Sequence, residues 1–361
     1  MKNKEDFYID IKKRAINIYE QYQYLMKEVL KNETNISKYN LKFYIKEDAN
    51  LGGKAWCDKY TDNIQINKGV IDNFFDYFYG FSQMQSEDFL KRLHINDEED
   101  GEVSYEFLKF DDNGKANIFD NKVIDFKLAG LLTIFVSRFI ITHELGHLLN
   151  GHCEFINTKD KNSVQYIPMF EKEKDNNRNI KTVSPLDFRT LEMDADAFAA
   201  TDNFRNLILL YESFEEKVDI DLNIKPIELF YWWSFAIRSN FLITQRILAD
   251  EEYRPDKSHL PSVARWILIL GSMIDLIEGN IYKINFRVGD SKEKLLQSVA
   301  AGFIFAEKCY NERFYTNYNC IEETINSTDY EHYTTATQKN WENLLCKLEG
   351  FSRLPLYKSR S

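Results

Sequence analysis

The sequence predicts an α+β fold, mainly α-helical, with a small β-sheet near its N-terminal end. Three observations carry that prediction. Long segments place apolar residues at helical spacing, the first of them, Glu5 to about Lys31, with neither Gly nor Pro inside it; two short β-rich stretches lie close together before Val70; and no internal repeat or Pro-, Gly- or Ser-rich linker divides the 361 residues. A chain of this length holds one large domain or two. The missing linker favours a single domain over 1–361.

The first segment, Glu5 to about Lys31, reads as a long amphipathic helix with Ile9, Ile16, Tyr19, Leu25 and Leu30 at helical spacing. "LKFYIKED" (Leu41 to Asp48) is short and rich in β-formers, and the breaker "NLGG" follows it. "TDNIQINKG" then alternates Ile64 and Ile66 with polar neighbours and ends at Gly69, as a second strand does. These two strands form a hairpin or a small sheet. A helix from about Val70 to Phe81 comes next, and then an acidic, turn-rich stretch, "HINDEEDGEVSYEFLKFDDNGKANIFDN". Its "DDNG" lacks the later ligand positions of an EF-hand, so the stretch reads as a surface excursion.

From Lys127 to Asn150 apolar residues are so dense that the helix must be central, and Asn150-Gly151 supplies its stop. A polar segment, Lys159 to Lys181, leads to a further helix from Pro185 to about Glu212. Three more follow, one beginning at Pro226, one spanning roughly Pro261 to Ile277, and one beginning at Ser291, where "DSKE" resembles a capping box. The amphipathic "QKNWENLLCKLEG" closes the series.

Composition narrows the function classes. Hydrophobic content of 44% and aromatic content of 15% describe a packed globular chain. A formal net charge of −11 argues against a broad nucleic-acid footprint, which needs a surplus of Lys and Arg on one face. The five cysteines are odd in number, widely spread and never in a C-x-x-C pair, a usage that fits reduced thiols. The N-terminus "MKNKEDFYID" has no apolar secretory core. A cytoplasmic location is therefore expected. No run reaches the ~18 uninterrupted apolar residues of a membrane span. Arg138, Arg238 and Asp275 interrupt the nearest candidates, which read as buried helices; a peripheral membrane contact through Trp232 and Trp233 is the alternative.

The chemistry concentrates in "ITHELGHLLNGH", Ile141 to His152. His143 and His147 are four residues apart, so on a helix both rings can face one point, with the Glu144 carboxylate beside it. This H-E-x-x-H spacing suits two imidazoles holding zinc and a Glu acting as general base; a helix end with solvated histidines is the bland alternative. A hydrolytic site needs a third protein ligand and one open position. "LEMDADAFA" offers one, because Glu192 and Asp196 are a turn apart on a helix whose Ala195, Ala197, Ala199 and Ala200 permit close packing. His152 follows the helix stop and falls at the wrong offset for a third histidine ligand, so it takes a structural or ligand-supporting role.

"HELGH" followed downstream by "ExxAD" resembles the gluzincin metallopeptidases. The resemblance implies a zincin-like catalytic core over about 40–280, flanked by an N-terminal helix (5–31) and a C-terminal helical extension (285–361). It implies Zn²⁺ held by His143, His147 and Glu192, Glu144 as catalytic base, and Asp196 fixing a ligand imidazole. "SHLPSVAR" resembles the "HPPxxxR" element of the CAAX-protease and HtpX group, with Leu260 in place of the first Pro. By that resemblance His259 stabilises the oxyanion and Arg265 braces the site; a plain helix start at Pro261 is the alternative, and a tyrosine could take the oxyanion role. In related enzymes an upstream edge strand pairs with the extended substrate, a role that falls here on "NIQINKG".

The motif set also resembles the phage-exclusion peptidases of the Lit type and, more distantly, regulators of the ImmA and IrrE type. These imply a zinc-dependent endopeptidase acting on a specific protein substrate in phage defence or stress regulation, under a regulatory partner. The competing class is a binding protein that keeps zinc as a structural staple, with Asp196 or His152 as fourth ligand.

Overall fold

The computed structural model of the chain describes residues 4–29, 40–58, 61–84, 124, 126–159, 167–168, 183–217, 224–248, 260–279, 282–317, 319 and 328–356. The acidic stretch 94–121 with its "DDNG", the polar residues 160–166 and 169–182, Leu30, Lys31 and His259 lie outside them.

Helix α1 (Lys4–Tyr24) runs into a π-helical turn, Leu25–Val29. Its buried side is Phe7, Ile11, Ala15, Ile18, Tyr22 and Met26, whereas Ile9 is 47% exposed. Of the residues expected at helical spacing, Tyr19 is buried and Leu25 packs against the core, and only Ile9 is corrected. Steps of three and four residues give the observed set an unbroken stripe, with which Ile9 is out of phase.

The sheet has the order β1-β3-β2-β4, from β1 (Asn40–Lys46), β2 (Gly53–Asp58), β3 (Thr61–Asn67) and the two-residue β4 (Ile167–Pro168). β1 pairs with β3 in parallel, Phe43 opposite Ile64, which excludes a hairpin between them. β2 inserts itself as the antiparallel neighbour of β3, Ala55 opposite Ile64. On one face Phe43, Ala55, Ile64 and Ile66 are buried, as the pleat's two-residue period requires.

Helix α2 (Lys68–Met84) follows β3 directly. The central helix is α3 (Phe126–Leu149), against which the sheet, α1, α2, α5 and α7 all pack. Among the described residues it alone is long and apolar enough to cross a membrane, and most of it is buried inside the protein. Its Arg138 is neutralised by Asp202 at 2.5 Å. Gly151, with φ of +80°, turns the chain where an L side chain is disfavoured, and α4 (His152–Lys159) begins at once.

Helix α5 (Pro185–Glu212) starts on Ser184, whose hydroxyl accepts the Asp187 N–H at 3.0 Å, with Pro185 in the first turn. After the short α6 (Phe214–Lys217) come α7 (Glu228–Leu248), α8 (Ser262–Glu278), α9 (Lys292–Phe314), capped by Ser291 on the Lys294 N–H, and α10 (Thr328–Leu348). Trp232 and Trp233 are buried, so a membrane contact through these rings is corrected to core packing. Arg238 on α7 pairs with Glu307 on α9 at 2.5 Å. One hydrophobic cluster takes side chains from Phe7 through Leu348. The terminal helices therefore share the core of the central one.

Candidate metal centre

Two successive turns of α3 carry His143 and His147, and both side chains are fully buried. Their Nε2 atoms stand 3.1 Å apart with the rings crossed at 84°. Glu192 of α5 straddles them, Oε1 3.2 Å from His147 Nε2 and Oε2 3.4 Å from His143 Nε2. Zinc bonds of about 2.0–2.1 Å in a tetrahedron give donor separations of roughly 3.3 Å. The three groups are spaced like the edges of such a polyhedron, and this buried cluster can hold a metal ion.

The approach of α5 to α3 makes the cluster possible. A Cβ on Gly146 would lie 3.2 Å from Ala195 Cα and 3.3 Å from Phe198, so a side chain there would press the two helices apart by a few tenths of an ångström. Beside this crossing the Asn203 amide of α5 donates to Thr142 Oγ1 at 2.8 Å. The alanines of "MDADAFAA" thus fulfil a packing role that composition alone suggests.

Each imidazole is held on its far side. His143 Nδ1 lies 2.9 Å from Asp196 Oδ1, and Arg265 of α8 grips both oxygens of Asp196 at 2.8 Å. The same guanidinium comes within 3.4 Å of Glu192 and lies over the Phe241 ring. His147 Nδ1 faces His152 Nδ1 at 2.9 Å. His152 Nε2 stands 3.1 Å from Asp194 Oδ2, and the same oxygen accepts the Asn150 amide at 2.6 Å.

Glu144 is fully buried, and neither carboxylate oxygen has a hydrogen-bond partner among the described residues. Burial pushes its carboxyl up to about 8, with Glu192 adding to the rise and His143 and Arg265 opposing it. A Cβ on Gly53 of β2 would come within 3.0 Å of Glu144 Oε1, so the sheet meets the cluster at a residue with no side chain. Burial disfavours the charged form of His143, but the Glu192 and Asp196 carboxylates outweigh it and raise the imidazole to about 9; His147, where burial dominates, falls to about 3.

A metal entering near neutral pH therefore displaces a proton from His143. Its apparent affinity is expected to rise about tenfold per pH unit up to about 9 and then level off, because above that value no proton competes. Chelator competition at several pH values measures the slope; a flat profile below pH 8 contradicts it.

The structure brings His143, Glu144, His147, Glu192, Asp196 and Arg265 together, while His259 lies outside the described residues. The strand "NIQINKG" is corrected as a substrate edge: β3 lies between β1 and β2 and has no free side. Asp194, Asn150 and Gly53 are not singled out by the motif pattern. Asp194 stands between two recognised acids and reads as the solvent side of the helix, and only the Asn150-Gly151 stop hints that the chain reverses there. No protein-family model, curated protein or solved structure matches this chain.

Proposed function

We propose that the chain is a zinc-dependent endopeptidase with a zincin-like catalytic centre that acts on a specific protein substrate. The observation that carries this reading is the convergence of His143, His147 and Glu192 at zinc-like separations beside a Glu144 carboxylate that has no hydrogen-bond partner among the described residues. Zinc, when bound, supplies a Lewis acid that polarises a carbonyl and activates water. Glu144 takes the proton of the attacking water and delivers it to the leaving amine. Asp196 holds the His143 ring, Arg265 keeps Asp196 charged and lies beside Glu192, and His259 is assigned to the oxyanion by the family resemblance alone.

Complete burial of the ligands favours the second reading, a closed structural zinc site. The donor count favours the first. Asp196 is committed to His143 and Arg265, and His152 turns its Nδ1 to His147, so neither presents itself as a fourth ligand. Burial then means that substrate enters only after part of the cover moves, which suits an activity released by a regulatory partner. The Lit-type resemblance carries the proposal of one protein substrate in phage defence, and the free thiols Cys57, Cys153, Cys309 and Cys346 support a cytoplasmic setting.

The test joins metal analysis to cleavage. Purified wild-type chain is expected to carry near-stoichiometric zinc, and His143→Ala or Glu192→Ala to carry none. New protein N-termini in cells making the wild type, absent from cells making Glu192→Ala, would reveal the substrate. Zinc-free wild type in every preparation sinks the metal centre; zinc with four protein ligands and no new termini leaves the structural reading.

A further inference from the structure

We propose that His152 is a positioning residue that fixes the tautomer of the ligand His147, and that Asp194 orients His152 in turn. The inference rests on the metal-centre reading above and extends it to a second support unlike the direct carboxylate contact at His143.

The argument is one of hydrogens. His147 directs Nε2 to the point shared with His143 and Glu192, so that nitrogen must offer a lone pair to a metal, and the ring's hydrogen must reside on Nδ1. Nδ1 faces another imidazole nitrogen, His152 Nδ1, at 2.9 Å. Two N–H groups cannot share that separation, nor can two lone pairs; His147 donates and His152 accepts. The hydrogen of His152 is then on Nε2, which stands 3.1 Å from Asp194 Oδ2, an acceptor further fixed by the Asn150 amide. Every nitrogen in the row thus has one permitted role.

Local chain geometry builds this support. The positive φ at Gly151 folds the chain back after Leu149, and α4 begins with His152, whose fully buried ring returns beneath His147. A surface histidine five residues after a ligand would be free to rotate. This one is held between a ring and a carboxylate.

Wild type, His152→Phe, His152→Gln and Asp194→Asn are compared for zinc affinity by chelator competition, with thermal unfolding of each metal-free chain as the control for folding. Phe keeps a flat ring but removes the acceptor, and a loss of about 10–100-fold in zinc affinity is expected. Gln, whose carbonyl can accept from His147 Nδ1–H, is expected to recover most of it, and Asp194→Asn to show a smaller loss than Phe. Long-range ¹H–¹⁵N spectra of zinc-loaded wild type are expected to show His147 protonated on Nδ1 and His152 on Nε2. Undiminished affinity in a folded His152→Phe chain, or His152 protonated on Nδ1, overturns the proposal while leaving the metal centre standing. Wild type that takes up no zinc overturns both. If His152→Phe does not fold, the Asp194→Asn affinity and the wild-type tautomers decide.

Discussion

Replacing Glu144 by Gln is expected to leave zinc content at the wild-type level and to lower peptide-bond hydrolysis by about 10²–10⁴-fold, the range typical of removing a positioned general base. The substitution isolates chemistry from architecture. Glu144 binds no hydrogen-bond donor among the described residues, so the substitution breaks no hydrogen bond among them. Burial already opposes its charge, as the rise to about 8 shows, so near neutral pH the Gln amide replaces a largely uncharged carboxyl of similar shape. Folding stability is expected to be unchanged or slightly higher. The decisive comparison measures zinc stoichiometry, thermal midpoint and cleavage of the identified substrate in the same preparations. Wild-type cleavage by the Gln chain would exclude Glu144 as base, and loss of zinc would make it a ligand.

The parts of the site that are legible in the sequence are those fixed by helical spacing. His143, Glu144 and His147 lie within two turns of one helix, so their mutual geometry follows from a 3.6-residue period once the helix is granted. Glu192 and Asp196 share the same logic on α5. Their meeting with α3 is a tertiary fact, hinted at by the alanines that make room for it. His152 shows the boundary of such reasoning. The helix stop at Gly151 is readable, but a stop does not say where the chain goes next, and here it folds into α4 and returns the ring to the site.

Sheet pairing lies further from view. The segment "GKAWCD" mixes Lys54 and Asp58 with a leading Gly, so β2 shows no clean alternation, although it is the strand that meets Glu144. The parallel pairing of β1 with β3 depends on partners far apart in sequence, for which local pattern carries no information. Within α1 the apolar spacing misplaces Ile9 and passes over Tyr22 for a related reason. Tyr22 belongs to the buried side partly through its hydroxyl bond to Asp202 at 2.8 Å, a partner no hydrophobic period contains.

Arg353→Met is expected to cost about 3–5 kcal/mol of folding stability, because it breaks a buried ion pair by removing one partner. After α10 the chain turns so that the Arg353 N–H donates to the Leu149 carbonyl at 2.8 Å, at the end of α3, while its guanidinium binds both oxygens of the fully buried Asp62 and also Glu154. Three separate parts of the sequence, β3, α4 and the tail, meet in that cluster. Removing the cation leaves Asp62 buried with the Tyr19 hydroxyl as its remaining bond among those described, and an uncompensated buried carboxylate is what makes breaking such a pair expensive. The companion change Asp62→Asn should therefore restore much of the loss in the double variant, because it removes the stranded charge, whereas packing lost with the Arg stem would not be restored. Denaturant unfolding of the wild type, both single variants and the double variant gives the coupling energy directly. A double variant less stable than Arg353→Met by the full cost of Asp62→Asn would show that the two residues act independently, and would reduce Arg353 to a backbone clasp on Leu149.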